Sequence, residues 1–349
     1  MESRTAYDTV ILAGDIGGTN ANFALIGKKG ATFEKILDRR YGTKDEPSLA
    51  ACLRRFLDAA GEAAPSFPPD LCCVSGAGPV KAGRIELTNA AWSIDSSEIE
   101  REFSIPARVI NDFTAVSYGV LLLDPADRTQ LLPVTRADGS FPAQSPDGVR
   151  LVIGAGTGLG VGYVVRVGER TQAFPSEGGH VTLPAWDRDT REFSAWLEKR
   201  FGFVPGAEAG VSGMGISNLH EFLCQRSGCA ADSPILAAPP AERPAMISKT
   251  AHAGTDANAV RALELFVELY ARVASDHAAS FLPGGGVYLA GGIAAKNERF
   301  FLEGARFRSA FEGNYREHIR AILAETPVWI ARDYDVSLYG AANAAVVLS

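Results

Sequence analysis

Residues 10–26 read Val10-Ile11-Leu12-Ala13-Gly14-Asp15-Ile16-Gly17-Gly18-Thr19-Asn20-Ala21-Asn22-Phe23-Ala24-Leu25-Ile26. An apolar run, a polar glycine turn and a second apolar run describe a strand, a tight turn and a strand. Gly17 and Gly18 allow backbone angles with φ > 0, and they keep side chains away from N–H groups that could face an anion. The carboxylate of Asp15 would repel a phosphate held there, unless a divalent cation lies between them. The stretch therefore predicts a hairpin that holds a metal-bound nucleotide phosphate.

The pattern returns about 140 residues later. Leu151-Val152-Ile153 runs into Gly154-Ala155-Gly156-Thr157-Gly158-Leu159-Gly160 and then Val161-Gly162-Tyr163-Val164-Val165. Either alone is compatible with an ordinary glycine hairpin; the pair reads as two similar units, each with a phosphate-facing turn. Further strand-like runs lie near 71–75, 84–88, 107–110, 286–290 and 327–331, with helical patterns between them, which makes the chain an α/β protein. The longest helical pattern runs from Asp256 to Phe281, with Val260, Leu263, Val267, Tyr270 and Ala274 on one stripe and Phe266 and Val273 beside it. Pro133–Gly148 and Ala230–Pro244 read as surface loops.

The chain has 349 residues, 46% hydrophobic and 21% charged, with a formal net charge of −7. That length accommodates two domains, and the acidic balance argues against nucleic acid or an anionic membrane as the main partner. No run is long enough to span a bilayer, and the first residues lack the apolar core of a signal peptide, so a cytoplasmic location is expected. Five cysteines (Cys52, Cys72, Cys73, Cys224 and Cys229) include no C-x-x-C pair, and free or buried thiols are the simplest reading.

Several phosphate and metal chemistries are excluded by spacing. There is no Walker-type G-x-x-x-x-G-K-[ST], and the glycines at 154–162 miss the dinucleotide spacing G-x-G-x-x-G. His220-Glu221 begins like a zinc-protease helix, but Cys224 stands where the second histidine is needed. Glu177-Gly178-Gly179-His180 has the E-x-x-H spacing of a di-iron helix, yet two glycines disfavour a helix. It reads instead as a loop that presents a carboxylate and an imidazole side by side. Ala107-Arg108-Val109-Ile110 delivers Asn111-Asp112 at a strand end, where ligands of open α/β sheets gather. This pair can orient a hydroxyl and accept its proton, or cap the following helix, and Asp112 can do both.

As an ordered set these motifs are specific. G-D-I-G-G-T-N (14–20), T-N-A-A-W (88–92), I-N-D-F-T-A (110–115), G-A-G-T-G-L-G (154–160), E-G-G-H (177–180) and L-A-G-G-I (289–293) closely resemble the bacterial ATP-dependent glucokinase family. The resemblance implies the α/β, two-domain actin-like ATPase (ribonuclease H-like) fold with an interdomain cleft. It implies a small domain of 1–120 plus 335–349 and a large one of 121–334. It implies ATP-dependent phosphorylation of glucose on its 6-hydroxyl, with Asp112 as general base. Asn89, Asn111, Glu177, His180 and Glu208 would bind the sugar, Glu208 through a looser match to a glutamate four residues before Ser212-Gly213. Asp15 would hold Mg²⁺ through water, with Gly17, Gly18, Thr19 and Asn20 around the transferring phosphate. Gly156, Thr157 and Gly158 would form a second phosphate loop, and Gly291 and Gly292 would lie against the adenosine.

Ser176 stands where the family often has glycine. The zinc signature of the related repressor/kinase family is missing, so no zinc is expected, and no DNA-binding segment is expected ahead of the first strand. A homodimer is the family-level expectation. A kinase for another hexose and a non-catalytic sugar sensor on the same fold are the alternatives.

Overall fold

The computed structural model describes residues 6–87, 92–229, 233–332 and 335–349. The chain divides into two compact units, Met1–Leu123 with Val167–Pro175 and Asp333–Ser349, and Asp124–Arg166 with Ser176–Arg332.

In the first unit, β1 (Thr9–Ile16) and β2 (Asn20–Lys29) form the antiparallel hairpin, with Leu12 opposite Leu25 and Ile16 opposite Ala21. β3 (Thr32–Gly42) lies outside β2. It is absent from the strands expected of the sequence because Glu34, Lys35, Asp38, Arg39 and Arg40 break its apolar pattern; charge of this kind protects an edge strand from pairing with other chains. Helix α1 (Leu49–Ala63) leads to β4 (Leu71–Gly76), which runs parallel to β1. A ribbon of β5 (Arg84–Glu86) and β6 (Ser93–Asp95) and helix α2 (Ser96–Phe103) precede β7 (Ala107–Asn111), parallel to β4. The sheet order is β3-β2-β1-β4-β7, and α3 (Asp112–Gly119) follows β7 without a loop. Val10, Leu12, Phe23, Leu25, Phe56, Val74 and Ile94 belong to the buried core of this unit.

The second sheet has the order β11-β10-β9-β12-β13-β8. Its strands are β8 (Leu131–Pro133), β9 (Arg150–Ala155), β10 (Leu159–Val167), β11 (Arg170–Ser176), β12 (Val287–Ala290) and β13 (Val328–Ala331). β9 and β10 are an antiparallel hairpin, and β12 and β13 continue parallel from β9. Two sheets thus share one plan: a glycine hairpin, a third strand outside it, and two parallel strands on its inner side.

Helices α4 (Arg188–Phe201), α5 (Gly213–Ser227), α6 (Pro234–Ala237), α7 (Arg243–Ala253) and α8 (Ala257–Phe281) lie between β11 and β12. The segment read as a loop over Ala230–Pro244 therefore contains a short helix and the start of another. α8 starts at Asp256, whose carboxylate accepts from the N–H groups of Asn258 and Ala259. Leu263, Phe266, Val267 and Tyr270 are fully buried, while Arg261 pairs with both Glu264 and Glu268. α9 (Gly292–Lys296), α10 (Glu298–Leu302), α11 (Arg306–Glu312) and α12 (Glu317–Ala324) complete the unit.

α13 (Val336–Val347) returns to the first unit and packs on α3. A Cβ on Gly340 would fall 1.8 Å from the Ala115 carbonyl oxygen, and one on Gly119 would fall 2.0 Å from that of Val336. Only glycine permits this approach.

The cysteine expectation needs correction. Cys224 and Cys229 form a disulfide with Cα atoms 4.7 Å apart, and Cys52, Cys72 and Cys73 are free and buried. Gly228, at φ +78°, turns the chain at the end of α5 so that the N–H of Cys229 reaches the Cys224 carbonyl at 3.0 Å. A helix C-terminal turn brings a C-x4-C pair together as closely as the C-x-x-C spacing would. No helix among the described residues is long and apolar enough to cross a membrane.

Candidate functional site

In the first unit, polar residues gather at the C-terminal ends of the parallel strands β1, β4 and β7. Asp15 lies opposite Ser75 in the β1/β4 ladder, and Gly76 lies opposite Asn111 in the β4/β7 ladder. The Asp15 carboxylate accepts from the Ser337 hydroxyl at 2.9 Å and from that of Ser75 at 3.3 Å. Burial pushes its pKa up, and the two hydroxyls pull it down. In the turn, the Gly17 N–H donates to the Asn20 carbonyl at 2.8 Å, and the Gly18 carbonyl accepts from the Thr43 hydroxyl at 2.9 Å. Gly17 and Gly18 are not among the glycines with positive φ. The Gly17–Asn20 bond leaves Gly18 and Thr19 at the tip of the turn.

Asn111 is the cap of α3. Its Oδ1 accepts from the N–H groups of Phe113 at 2.9 Å and Thr114 at 3.2 Å, and its Nδ2 donates to the Gly78 carbonyl at 3.2 Å. With the oxygen committed to the backbone, Asn111 has only amide hydrogens to offer a ligand. Asp112 is the first residue of α3, and its Oδ1 accepts from the Phe113 N–H at 2.8 Å. Burial raises its pKa first; the Phe113 N–H and the Asn111 amide oppose that rise, and the charge of Asp15 adds to it. Asn89 lies outside the described residues.

In the second unit, Glu177 precedes a single 3₁₀ turn over Gly178–His180. The carboxylate and imidazole are 3.7 Å apart, with side chains 84% and 63% exposed, so they are presented side by side as the sequence suggests. A second such turn, Ala207–Ala209, packs against it and carries Glu208. The Ala207 N–H donates to the Val181 carbonyl at 2.6 Å. Glu208 Oε2 accepts from the Leu159 N–H at 2.8 Å, just beyond the second glycine loop. A Cβ on Gly158 would lie 2.5 Å from that oxygen, so a side chain there would displace the Glu208 carboxylate.

The loop from Gly156 to Gly158 closes through the Gly156 N–H and the Gly158 carbonyl at 2.8 Å. Its Gly156 carbonyl accepts from the N–H of Gly213, the first residue of α5, also at 2.8 Å. The strand feeding it is tied to α8, since the Tyr270 hydroxyl donates to the Ile153 carbonyl at 2.8 Å and accepts from the Ala155 N–H at 3.3 Å. Gly291 holds φ +85°, and a Cβ there would strike the Ala155 carbonyl at 2.7 Å. Around these loops is a cavity of about 870 Å³, lined by Gly156, Thr157, Met214, Ile293, Lys249 and Lys296 among others. The positive N-terminal end of α5 and the two lysines favour an anion, while Met214 and Ile293 offer an apolar wall for a flat ring.

Sequence reading missed Ser75 and Ser337, which hold Asp15, and the α5 and α7 walls of the cavity. These residues come from separate segments, each with an ordinary helical or strand pattern, and share no motif. Of the other histidines, His220 is fully buried against Asp256 at 3.2 Å, and His252 is 3.2 Å from Asn297.

A hairpin with a glycine turn at the head of each of two like sheets, and polar residues at the strand ends, define the two-domain actin-like fold. The glucokinase family profile matches residues 12–347. A glucokinase of Nostoc sp. is 36% identical over 356 residues, covering 97% of this chain and 100% of that one. Another, from Pseudomonas paraeruginosa, is 38% identical over 335 residues, covering 95% and 90%. Among solved structures, glucokinase from an Antarctic psychrotroph superposes with a TM-score of 0.82 at 28% identity, covering 97% and 99%. The chain belongs to the glucokinase family.

Proposed function

We propose that this protein transfers the γ-phosphoryl group of ATP to the 6-hydroxyl of glucose, with Asp112 as general base. The observation that carries the chemistry is the setting of Asp112. A carboxylate held at a strand end, with its pKa raised by burial and by Asp15, is a better proton acceptor than an exposed one. Family membership supports the substrate pair. Phosphoryl transfer asks little covalent chemistry of a protein: it needs positioned phosphates, neutralised charge and an oriented hydroxyl.

Each residue then has a task. Asn111 donates an amide hydrogen to a sugar hydroxyl, and Glu177, His180 and Glu208 bind others, as would Asn89. Glu208 uses one oxygen on Leu159, which leaves the other for sugar and ties that contact to the phosphate loop. Gly17, Gly18, Thr19 and Asn20 surround the transferring phosphate. Gly156, Thr157 and Gly158 hold the phosphates next to them, and Gly291 and Gly292 lie along the adenosine.

A magnesium ion fits Asp15. The donors there are a buried carboxylate and hydroxyls, all hard oxygens, and Mg²⁺ at nucleotide sites takes one or two carboxylates plus substrate phosphates. Bound there through water, Mg²⁺ would neutralise charge on the transferring phosphate. We place the enzyme in the cytoplasm, with its ATP, as a homodimer. Purified protein tested on a panel of sugars and phosphoryl donors should release product most efficiently with glucose and ATP. Preference for another hexose or donor would replace the substrate assignment, and sugar binding without ATP consumption would make the protein a sensor.

A further inference from the structure

Gly178 stands between Glu177 and Gly179-His180, and side chains hold both of its peptide groups. Its N–H donates to the Ser176 hydroxyl at 3.2 Å, and that hydroxyl donates to the Val161 carbonyl at 2.9 Å. Its carbonyl lies 3.1 Å from Nε2 of His277, which arrives from the last turns of α8. Nδ1 of the same imidazole is 2.7 Å from the Tyr163 hydroxyl, and the Tyr163 ring stacks on Phe281 at 3.8 Å. A carbonyl can only accept, so Nε2 carries the hydrogen; in a neutral ring Nδ1 then accepts from Tyr163. Burial lowers the pKa of His277, in keeping with a neutral ring. The fit is tight, since a Cβ on Gly178 would come within 2.7 Å of the His277 ring and one on Gly179 within 1.9 Å of the Leu159 carbonyl oxygen.

We propose that His277 is the positioning residue of the sugar-binding turn, setting through the Gly178 carbonyl the direction in which Glu177 and His180 meet glucose. The inference rests on the reading of Glu177 and His180 as sugar-binding residues. Those two side chains are mostly exposed, so the backbone beneath them carries their orientation. An apolar side chain at 277 would fill the same space without fixing a peptide plane. A buried imidazole adds a directed bond, and Tyr163 selects the tautomer that makes it. Ser176, which stands in place of a frequent family glycine, secures the other side of the same residue.

The test is steady-state kinetics on the full-length protein carrying His277→Leu, His277→Gln or Glu177→Gln, with glucose and MgATP varied separately. His277→Leu should raise KM for glucose roughly tenfold, the scale of one lost directed hydrogen bond, and leave KM for ATP within about twofold. His277→Gln, whose amide can still donate to Gly178, should recover most of that loss. The inference is overturned if Glu177→Gln raises KM for glucose while His277→Leu does not, or if Gln rescues no better than Leu. A rise in both KM values together with a lower Tm would also overturn it, as a merely structural role would behave this way. Should Glu177→Gln leave KM for glucose unchanged, the sugar-site reading itself fails and the inference with it. If His277→Leu does not fold, Tyr163→Phe keeps the ring stack and removes the tautomer-selecting hydroxyl. It should raise KM for glucose a few-fold with KM for ATP unchanged, and an unchanged KM for glucose would overturn the inference.

Discussion

Asn111 gives its side-chain oxygen to the N–H groups of Phe113 and Thr114 and so starts α3, and Asp112 follows it with a buried carboxylate. Of the two roles that the sequence leaves open for this pair, capping falls to Asn111, and the proposed function gives the other to Asp112. The raised pKa of Asp112 has a consequence for stability with a definite sign. The folded protein favours the protonated acid, so the ionised carboxylate weakens the fold once pH passes the unfolded value of about 3.9. Asp112→Asn removes that penalty and keeps an oxygen for the Phe113 N–H. It should raise Tm at pH 7, and the gain should shrink as pH falls below that unfolded value; thermal melts across pH read this directly. A lower Tm at pH 7 would mean that the carboxylate stabilises the fold.

At the scale of elements, the position of Asp112 depends on two helices. α3 carries it, and α13 lies against α3 through Gly340 while bringing Ser337 to Asp15. A methyl group on Gly340 would meet the Ala115 carbonyl, and backbone cannot yield as a flexible side chain does. Gly340→Ala should therefore cost roughly 1–3 kcal/mol by denaturant unfolding and lower kcat as well. An unchanged midpoint would show that the helices separate at little cost. The elements also show why some features were legible in sequence. Both hairpins, the strand ending in Asn111 and the helix Ala257–Phe281 announce themselves by local pattern and punctuation. β3 is an exposed, charged edge, and β8 is three residues long, too short for any period to show. The disulfide depends on a turn after a helix, and the cavity walls depend on which helices meet.

The whole molecule repeats one sheet plan twice, each copy with a glycine hairpin and two parallel strands beside it. Of the motifs legible in the sequence, the two glycine turns, Asn111-Asp112 and Gly291-Gly292 fall at strand ends, where close backbone approach restricts residue choice. Ser75, Ser337 and His277 were not legible, since each holds another residue and is of an ordinary type at an ordinary position, and Ser176 stood out only as a departure from the family's glycine. The account as a whole comes down to sugar-dependent phosphoryl transfer that needs Asp112. The most direct measurement is glucose-dependent ADP release from MgATP by the native protein and by Asp112→Asn, with glucose affinity measured calorimetrically for both. The account predicts glucose-dependent turnover in the native protein and, in the variant, kcat lower by roughly 10²-fold or more with glucose binding largely intact. Near-normal turnover by Asp112→Asn, or ADP release by the native protein that does not depend on glucose, would contradict it.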